Sequence, residues 1–257
     1  MPPSRPSCSS DAAGGENRPA ALSSLGGPGV ESFLQWLGYG LCHQLADRSF
    51  FGGGLQVPVC ARDTGIYMGF VIGLLVLYLG HRGKRPSELP PWRSMIIIGA
   101  FLGIMVLDGL TSYAGLRTTT NDLRLFTGLT AGFALSALTL PLLNSEVWHS
   151  SDYERVLGTP RAVAVFVLAL PLAFVVVRYG GPLLGALYAA AVAVAIIATF
   201  SAVNLVIVCL VPYFERRAET WRHMLVPMAL ASILTFAELA GATALKVWLE
   251  RMAGVIV

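Results

Sequence analysis

Four residues able to ligate a first-row transition metal stand close together early in the apolar part of the chain. They are Cys42, His43, Cys60 and Asp63, set in the runs Cys42-His43-Gln44, Arg48-Ser49-Phe50 and Pro58-Val59-Cys60-Ala61-Arg62-Asp63-Thr64-Gly65. Eighteen positions separate the two cysteines, and Gly52-Gly53-Gly54 lies between them, so this loop can fold back and bring its ends together. Thiolate and imidazole donors favour zinc, iron or copper over magnesium or calcium. The spacing is not a standard zinc pattern: Cys60 and Asp63 stand as a CxxC pair would, with a carboxylate replacing one thiolate. Three readings are open. The residues form a metal site, or Cys42 and Cys60 form a disulfide facing an oxidising compartment. In the third reading, two small buried thiols and an Arg62–Asp63 polar cluster simply order the loop.

A second polar group lies further along. Asp108 sits near the end of an apolar stretch, where a carboxylate is costly unless paired and faces the bundle interior or a wet cavity. Thr118, Thr119, Thr120, Asn121, Asp122 and Arg124 follow it closely. An Asp108–Arg124 ion pair that only pins two helices is the structural alternative to a site. Glu238, late in the last apolar stretch, is expected in the same half of the membrane. Asn204 is expected in the opposite half, as an interhelical hydrogen bond. His81, His149 and His223 read as solvated loop residues.

These residues must be positioned by helices in lipid. Apolar residues make up 55% of the 257, charged residues only 13%, and mean hydropathy is strongly positive. A soluble domain carries roughly 25% charged residues, so the composition excludes a soluble globular enzyme. The net charge of +3 is scattered, with no basic run carrying interleaved aromatics, which argues against nucleic acid as a partner. A spanning helix needs about 20 apolar residues. Six segments qualify: Thr64–Gly80, Ser94–Tyr113, Leu123–Leu143, Arg161–Val177, Pro182–Pro212 and Met224–Trp248. The fold class is an all-α integral membrane protein, a bundle of about six transmembrane helices, with Val30–Ala46 as a short N-terminal interfacial helix. Residues 1–29, rich in Pro, Ser, Gly and Ala, lack a signal-peptide core and read as a disordered tail in which Cys8 is incidental. Residues 30–257 form the bundle.

Glycines at four-residue spacing, Gly65 with Gly69 and Gly73, Gly99 with Gly103, and Gly128 with Gly132, predict close helix packing. Lys and Arg in the His81–Arg93 and Phe214–Arg222 loops place those loops in the cytoplasm and the cysteine loop on the opposite face.

The run CHQ, RSF, PVCARDTGIYMGF, then LDGL and NDLRLFTG, resembles the DUF2085 family of prokaryotic polytopic membrane proteins over roughly Val30 to Leu143. The resemblance implies a multi-pass protein of the cytoplasmic (inner) membrane of a prokaryote, and it brings no assigned activity. Some relatives look like CARCTG where this chain has Asp63, so the resemblance sets a carboxylate in the place of a second thiolate. The chain beyond Leu143 shows no recognised motif.

The leading expectation is a polar pocket at one membrane face holding zinc or another transition metal on Cys42, His43, Cys60 and Asp63. Arg62, Asn121 and Arg124 would bind an anionic group of a lipid or small molecule, and Asp108 would support them or act as a general base. A metal with an open position activates water, so hydrolysis or group transfer on a lipid is the reaction class. One alternative is a solute or ion transporter using Asp108, Arg124 and Glu238; another is a thiol-redox or assembly factor using Cys42 and Cys60.

Overall fold

The computed structural model describes residues 28–253. The expected tail lies outside the described residues up to position 27, Cys8 included. Pro28 and Gly29 already belong to the first helix, α1 (Pro28–Tyr39). The rest of the predicted interfacial segment is irregular except for a 3-10 turn at Ala46–Arg48. Five spans follow: α2 (Ala61–Gly80), α3 (Trp92–Tyr113), α4 (Asn121–Val147), α5 (Pro160–Leu184) and α6 (Ala186–Cys209). A final turn and helix run over Trp221–Met252, with α7 at Leu225–Met252. Among the described residues these six helices are long and apolar enough to cross a membrane. The protein is an all-α, multi-pass membrane bundle.

One predicted boundary is wrong. The loop expected at Arg178–Gly181 is helical, because α5 continues through Pro182 to Leu184 and the chain turns at Gly185 alone. Gly185 takes φ 53° and ψ −132°, a conformation that a Cβ would oppose. The ring of Tyr188 lies under Gly180 and Gly181, and its hydroxyl donates to the carbonyl of Val177 at 2.9 Å. The apolar run is continuous across this corner, so hydropathy cannot mark it.

α4 lies at the centre, with nearly every residue from Leu125 to Ala137 buried. Its partner is α2. A Cβ on Gly128 would stand 2.0 Å from the Arg62 carbonyl oxygen, and one on Gly132 would stand 2.2 Å from that of Ile66. Gly65 and Gly69 meet the backbone of Leu125 and Leu129 in return. Two of the three predicted glycine stripes therefore interlock at backbone contact. The third does not: Gly99 and Gly103 on α3 have nothing within 4 Å among the described residues. The outer surfaces of α3, α5 and α7 expose Leu107, Leu110, Leu168, Leu172 and Ile233, as lipid-facing helices do.

At one end of the bundle, β3 (Pro86–Glu88) and β4 (Asp152–Arg155) join the α2–α3 and α4–α5 loops as a two-stranded parallel ribbon. At the other end, β1 (Phe51–Gly52) and β2 (Leu55–Gln56) form a hairpin within the loop that carries both cysteines.

Candidate metal and anion site at one end of the bundle

The hairpin turns on Gly53 (φ 60°) and Gly54 (φ 83°), the paired positive φ values of a tight two-residue connection. Gly52 lies against the α5–α6 corner, where a Cβ would be 2.4 Å from the Gly185 carbonyl oxygen. Gln44 locks the returning strand: its Nε2 donates to the carbonyls of Gln35 and Pro58, each at 2.8 Å. Gln56 Nε2 donates to the Gln44 carbonyl at 2.8 Å. Lys246, near the end of α7, donates to the carbonyls of Tyr39 and Cys42 at 2.8 and 3.0 Å.

The predicted fold-back occurs, and it brings Cys42 beside Cys60 at the N-terminus of α2. The ligand atoms of Cys42, Cys60 and Asp63 all lie within 4.8 Å of one another. Cys60 stands at the N-cap of the helix, with its Sγ 3.3 Å from Asp63 Oδ2. The positive end of the α2 dipole favours anionic groups at this point. A hydrogen bond from the Cys60 thiol lowers the Cys42 thiol to about 7, against the opposing effect of burial. The Cys60 thiol is raised, first by holding its proton toward Cys42 and then by burial. His43 is exposed and stands outside this three-residue group.

The group opens on a cavity of about 250 Å³, walled by Cys42, His43, Cys60 and the guanidinium-bearing residues Arg48, Arg62 and Arg124. Leu45, with Ser112 and Tyr113 at the end of α3, completes the wall. Arg62 is paired with Asp108 and Arg48 with Asp47 at 3.7 Å, which leaves Arg124 as the guanidinium of the wall with no ion pair among the described residues.

Behind Arg62 stands Asp108, only 1% exposed. Arg62 Nη2 donates to Asp108 Oδ2 and Arg117 Nη2 to Oδ1, each at 2.5 Å, while Thr127 Oγ1 adds a bond to Oδ2 at 3.2 Å. Arg62 Nε is buried with no hydrogen-bond partner among the described residues, a donor that a ligand or water can satisfy. The Asp108–Arg124 pair, the structural alternative to a site, is not formed among the described residues. Arg124 instead donates to Asn121 Oδ1 at 3.1 Å, and Asn121 Nδ2 donates to the Asp47 carbonyl at 3.0 Å. Asn121 thus holds Arg124 from behind and is not itself on the cavity wall.

The comparisons with known proteins fall on this same region. A family model described as predicted membrane protein (DUF2085) matches residues 42–138. An uncharacterized protein of Methanothermobacter thermautotrophicus is 35% identical over 99 residues, covering 38% of this chain and 84% of that protein. This chain belongs to the DUF2085 family. A second DUF2085-region relative, an uncharacterized protein of Methanocaldococcus jannaschii, is 38% identical over 102 residues, 40% of this chain. The match spans 63% of that protein's length. No solved structure matches.

The DUF2085 segment begins at Cys42 and holds the hairpin, α2, α3 and α4 as far as Leu138, and with them the ligand group, the cavity wall and the Asp108 cluster. Glu238 lies outside it. Contrary to expectation, Glu238 does not share a cluster with Asp108: Asn204 Nδ2 donates to Glu238 Oε2 at 2.8 Å and to Thr235 Oγ1 at 3.1 Å, between α6 and α7. Asn204 and Glu238, expected in opposite halves, are partners. α7 runs on to Met252, so Glu238 stands at its middle rather than near its end. Arg117, Ser112, Tyr113 and Lys246 were not singled out from the sequence. They lie in loops or at helix ends, where periodicity carries no signal.

Proposed function

We propose that this multi-pass membrane protein holds zinc or another transition metal on Cys42, Cys60 and Asp63 and acts on an anionic group, of a lipid or small molecule, in the adjoining cavity. The observation that supports this reading is the convergence of three ligand atoms, two of them from cysteines on the wall of a cavity that three arginines also line. Two thiolates and a carboxylate suit zinc, whose bonds to them run about 2.0–2.3 Å. Ligand atoms no more than 4.8 Å apart reach a shared ion by small side-chain rotations. Three protein ligands leave a fourth position, and His43 on the cavity wall is the donor that fills it when no substrate does.

A metal held by Cys42, Cys60 and Asp63 would supply a Lewis acid for an oxygen of the substrate or for water. The chain's own groups do the rest. Arg62 and Arg124 donate charge-assisted hydrogen bonds to the anion, Asn121 steadies Arg124, and Asp108 aims Arg62 and Arg117. With both oxygens held by guanidinium groups, Asp108 serves as a positioning residue rather than a base.

The test is elemental analysis of detergent-purified protein with a free-thiol count on the same sample. Near-stoichiometric metal, lost in Cys60→Ser and weakened at least tenfold in Asp63→Asn, is the expected result. Full metal retention in Cys60→Ser removes the assignment. A second reading rests on the depressed Cys42 thiol beside Cys60, the arrangement of a redox pair. It requires metal-free protein whose two thiols become reactive only after reduction. Transport through Asp108, Arg124 and Glu238 is less well supported, because Glu238 and Asp108 have separate partners on separate helix pairs.

A further inference from the structure

At the opposite end of the bundle, α2 and α5 diverge around a cavity of about 840 Å³. Its membrane side is apolar, built from Val76, Leu79, Val165 and Phe166. Its outer rim is basic, with Arg82, Lys84, Arg155 and Arg161. Two of these cations are neutralised, since Lys84 pairs with Glu154, and Arg155 Nε bonds Glu88 Oε2 at 3.0 Å. Arg82 and Arg161 have no ion pair among the described residues. Arg161 adds its charge to the first turn of α5, where Thr159 caps the helix by accepting from the Ala162 N–H at 3.2 Å. A cation beside the positive end of a helix dipole is unfavourable unless an anion joins them. Arg82 is presented from the other side by a left-handed backbone, φ 49°, just past the end of α2.

The cavity therefore offers two unpaired guanidinium groups and a helix N-terminus above a hydrocarbon-lined trough. We infer that it binds an anionic phospholipid, with the phosphate between Arg82 and Arg161 and one acyl chain along Val76, Leu79 and Val165. A free phosphate would satisfy the rim and leave the trough unfilled; a neutral lipid would fill the trough and leave the rim charges unanswered. Basic pockets between spans at the face carrying the basic loops meet the leaflet in which anionic lipids are concentrated. This site is separate from the metal and anion cavity and does not depend on it.

Native mass spectrometry of the detergent-solubilised full chain tests the inference, with phosphatidylglycerol and phosphatidylcholine of matched chains as probes. The expected result is one tightly retained phosphatidylglycerol per chain. Each of Arg82→Gln and Arg161→Gln should weaken it about fivefold, with phosphatidylcholine unaffected. Arg93→Gln is the control, a guanidinium on the same face that rests over Trp92 outside the cavity. An equal loss in that control shows diffuse surface charge and overturns the inference. Displacement of phosphatidylglycerol by millimolar inorganic phosphate assigns the rim to a soluble anion and overturns it too. Leu79→Trp fills the trough with every charge in place, so it decides the matter if the arginine variants fail to fold. Retention must fall in that variant, and undiminished phosphatidylglycerol binding refutes the pose.

Discussion

Replacing Asp108 by Asn isolates the charge that organises the arginine cluster. Asparagine keeps the shape and can still accept from Thr127, so the change is confined to the carboxylate's charge. Two guanidinium groups lose their counter-ion, and they are not equivalent. The Arg62 side chain is 16% exposed, whereas that of Arg117 is 43% exposed and can turn to water. Removing one partner of a buried ion pair costs about 3–5 kcal/mol, while screened surface pairs contribute about 0–1 kcal/mol. The loss should therefore be about 3 kcal/mol, nearly all of it from Arg62. Reversible unfolding in mixed micelles measures it. A cycle with Arg62→Gln should show that the two sites share at least about 1.5 kcal/mol of coupling. Metal content should stay intact in Asp108→Asn while anion affinity falls, because Cys42, Cys60 and Asp63 do not lean on Asp108. A destabilisation below about 1 kcal/mol with no coupling to Arg62 would show that water already screens the pair. Asp108 would then play no part in aiming Arg62.

Other expectations follow from the same geometry. In metal-free protein, alkylation of Cys42 should rise through a midpoint near 7. Cys60→Ala, which removes the stabilising thiol donor, should move that midpoint up toward the ordinary value of about 8.5; an unmoved midpoint would mean that Cys60 does not hold the Cys42 thiolate. Gln44→Ala deletes the two hydrogen bonds that tie the Gln35 carbonyl of α1 to the Pro58 carbonyl of the returning loop and should cost about 1–2 kcal/mol. It should also weaken metal binding, and a hydrogen-exchange map showing no loosening of residues 42–60 would contradict the role given to Gln44. Gly128→Ala, which sets a Cβ against the Arg62 carbonyl, should destabilise by about 1–3 kcal/mol and lower anion affinity. Gly103→Ala, facing open space, should do neither.

The spans were legible because bilayer thickness imposes a length on every apolar run, and all six appear where the runs do. Their ends were less so. Nothing in the apolar stretch from α5 to α6 marks Gly185 as the corner, since Gly180, Gly181 and Pro182 are equally good breakers in isolation and tolerated inside the helix. The meeting of Cys42 and Cys60 was legible from the glycine run between them, which supplies the turn that closes the hairpin. The partner of Asp108 was not. Arg62, Arg117 and Arg124 all lie near it in the membrane plane, and choosing among them requires the rotation of α2 and α4 about their axes, which hydropathy leaves undetermined. The Asn204–Glu238 bond was missed for a related reason: depth was counted from a helix end that lies four residues further on.

The glycine stripe on α2 carries the information that was overlooked. Residues three or four apart share a helix face, so Arg62 belongs to the same stripe as Gly65, Gly69 and Gly73, and that stripe packs on α4. The Arg62 carbonyl occupies the space that a side chain at Gly128 would need. Its backbone is thereby pinned where the two helices approach most closely, and only the side-chain torsions remain to carry the guanidinium to Asp108 on α3. The same contact fixes the first turn of α2, hence Cys60 at its cap and Asp63 within it. Close packing of α2 on α4 thus sets both halves of the site at once, the ligand group through the start of the helix and the cationic wall through Arg62. This is why Gly128→Ala should perturb the cavity more than Gly73→Ala. At position 73 the added methyl meets the Ser136 hydroxyl, which can rotate away, and the disturbance lies about three and a half turns from Cys60.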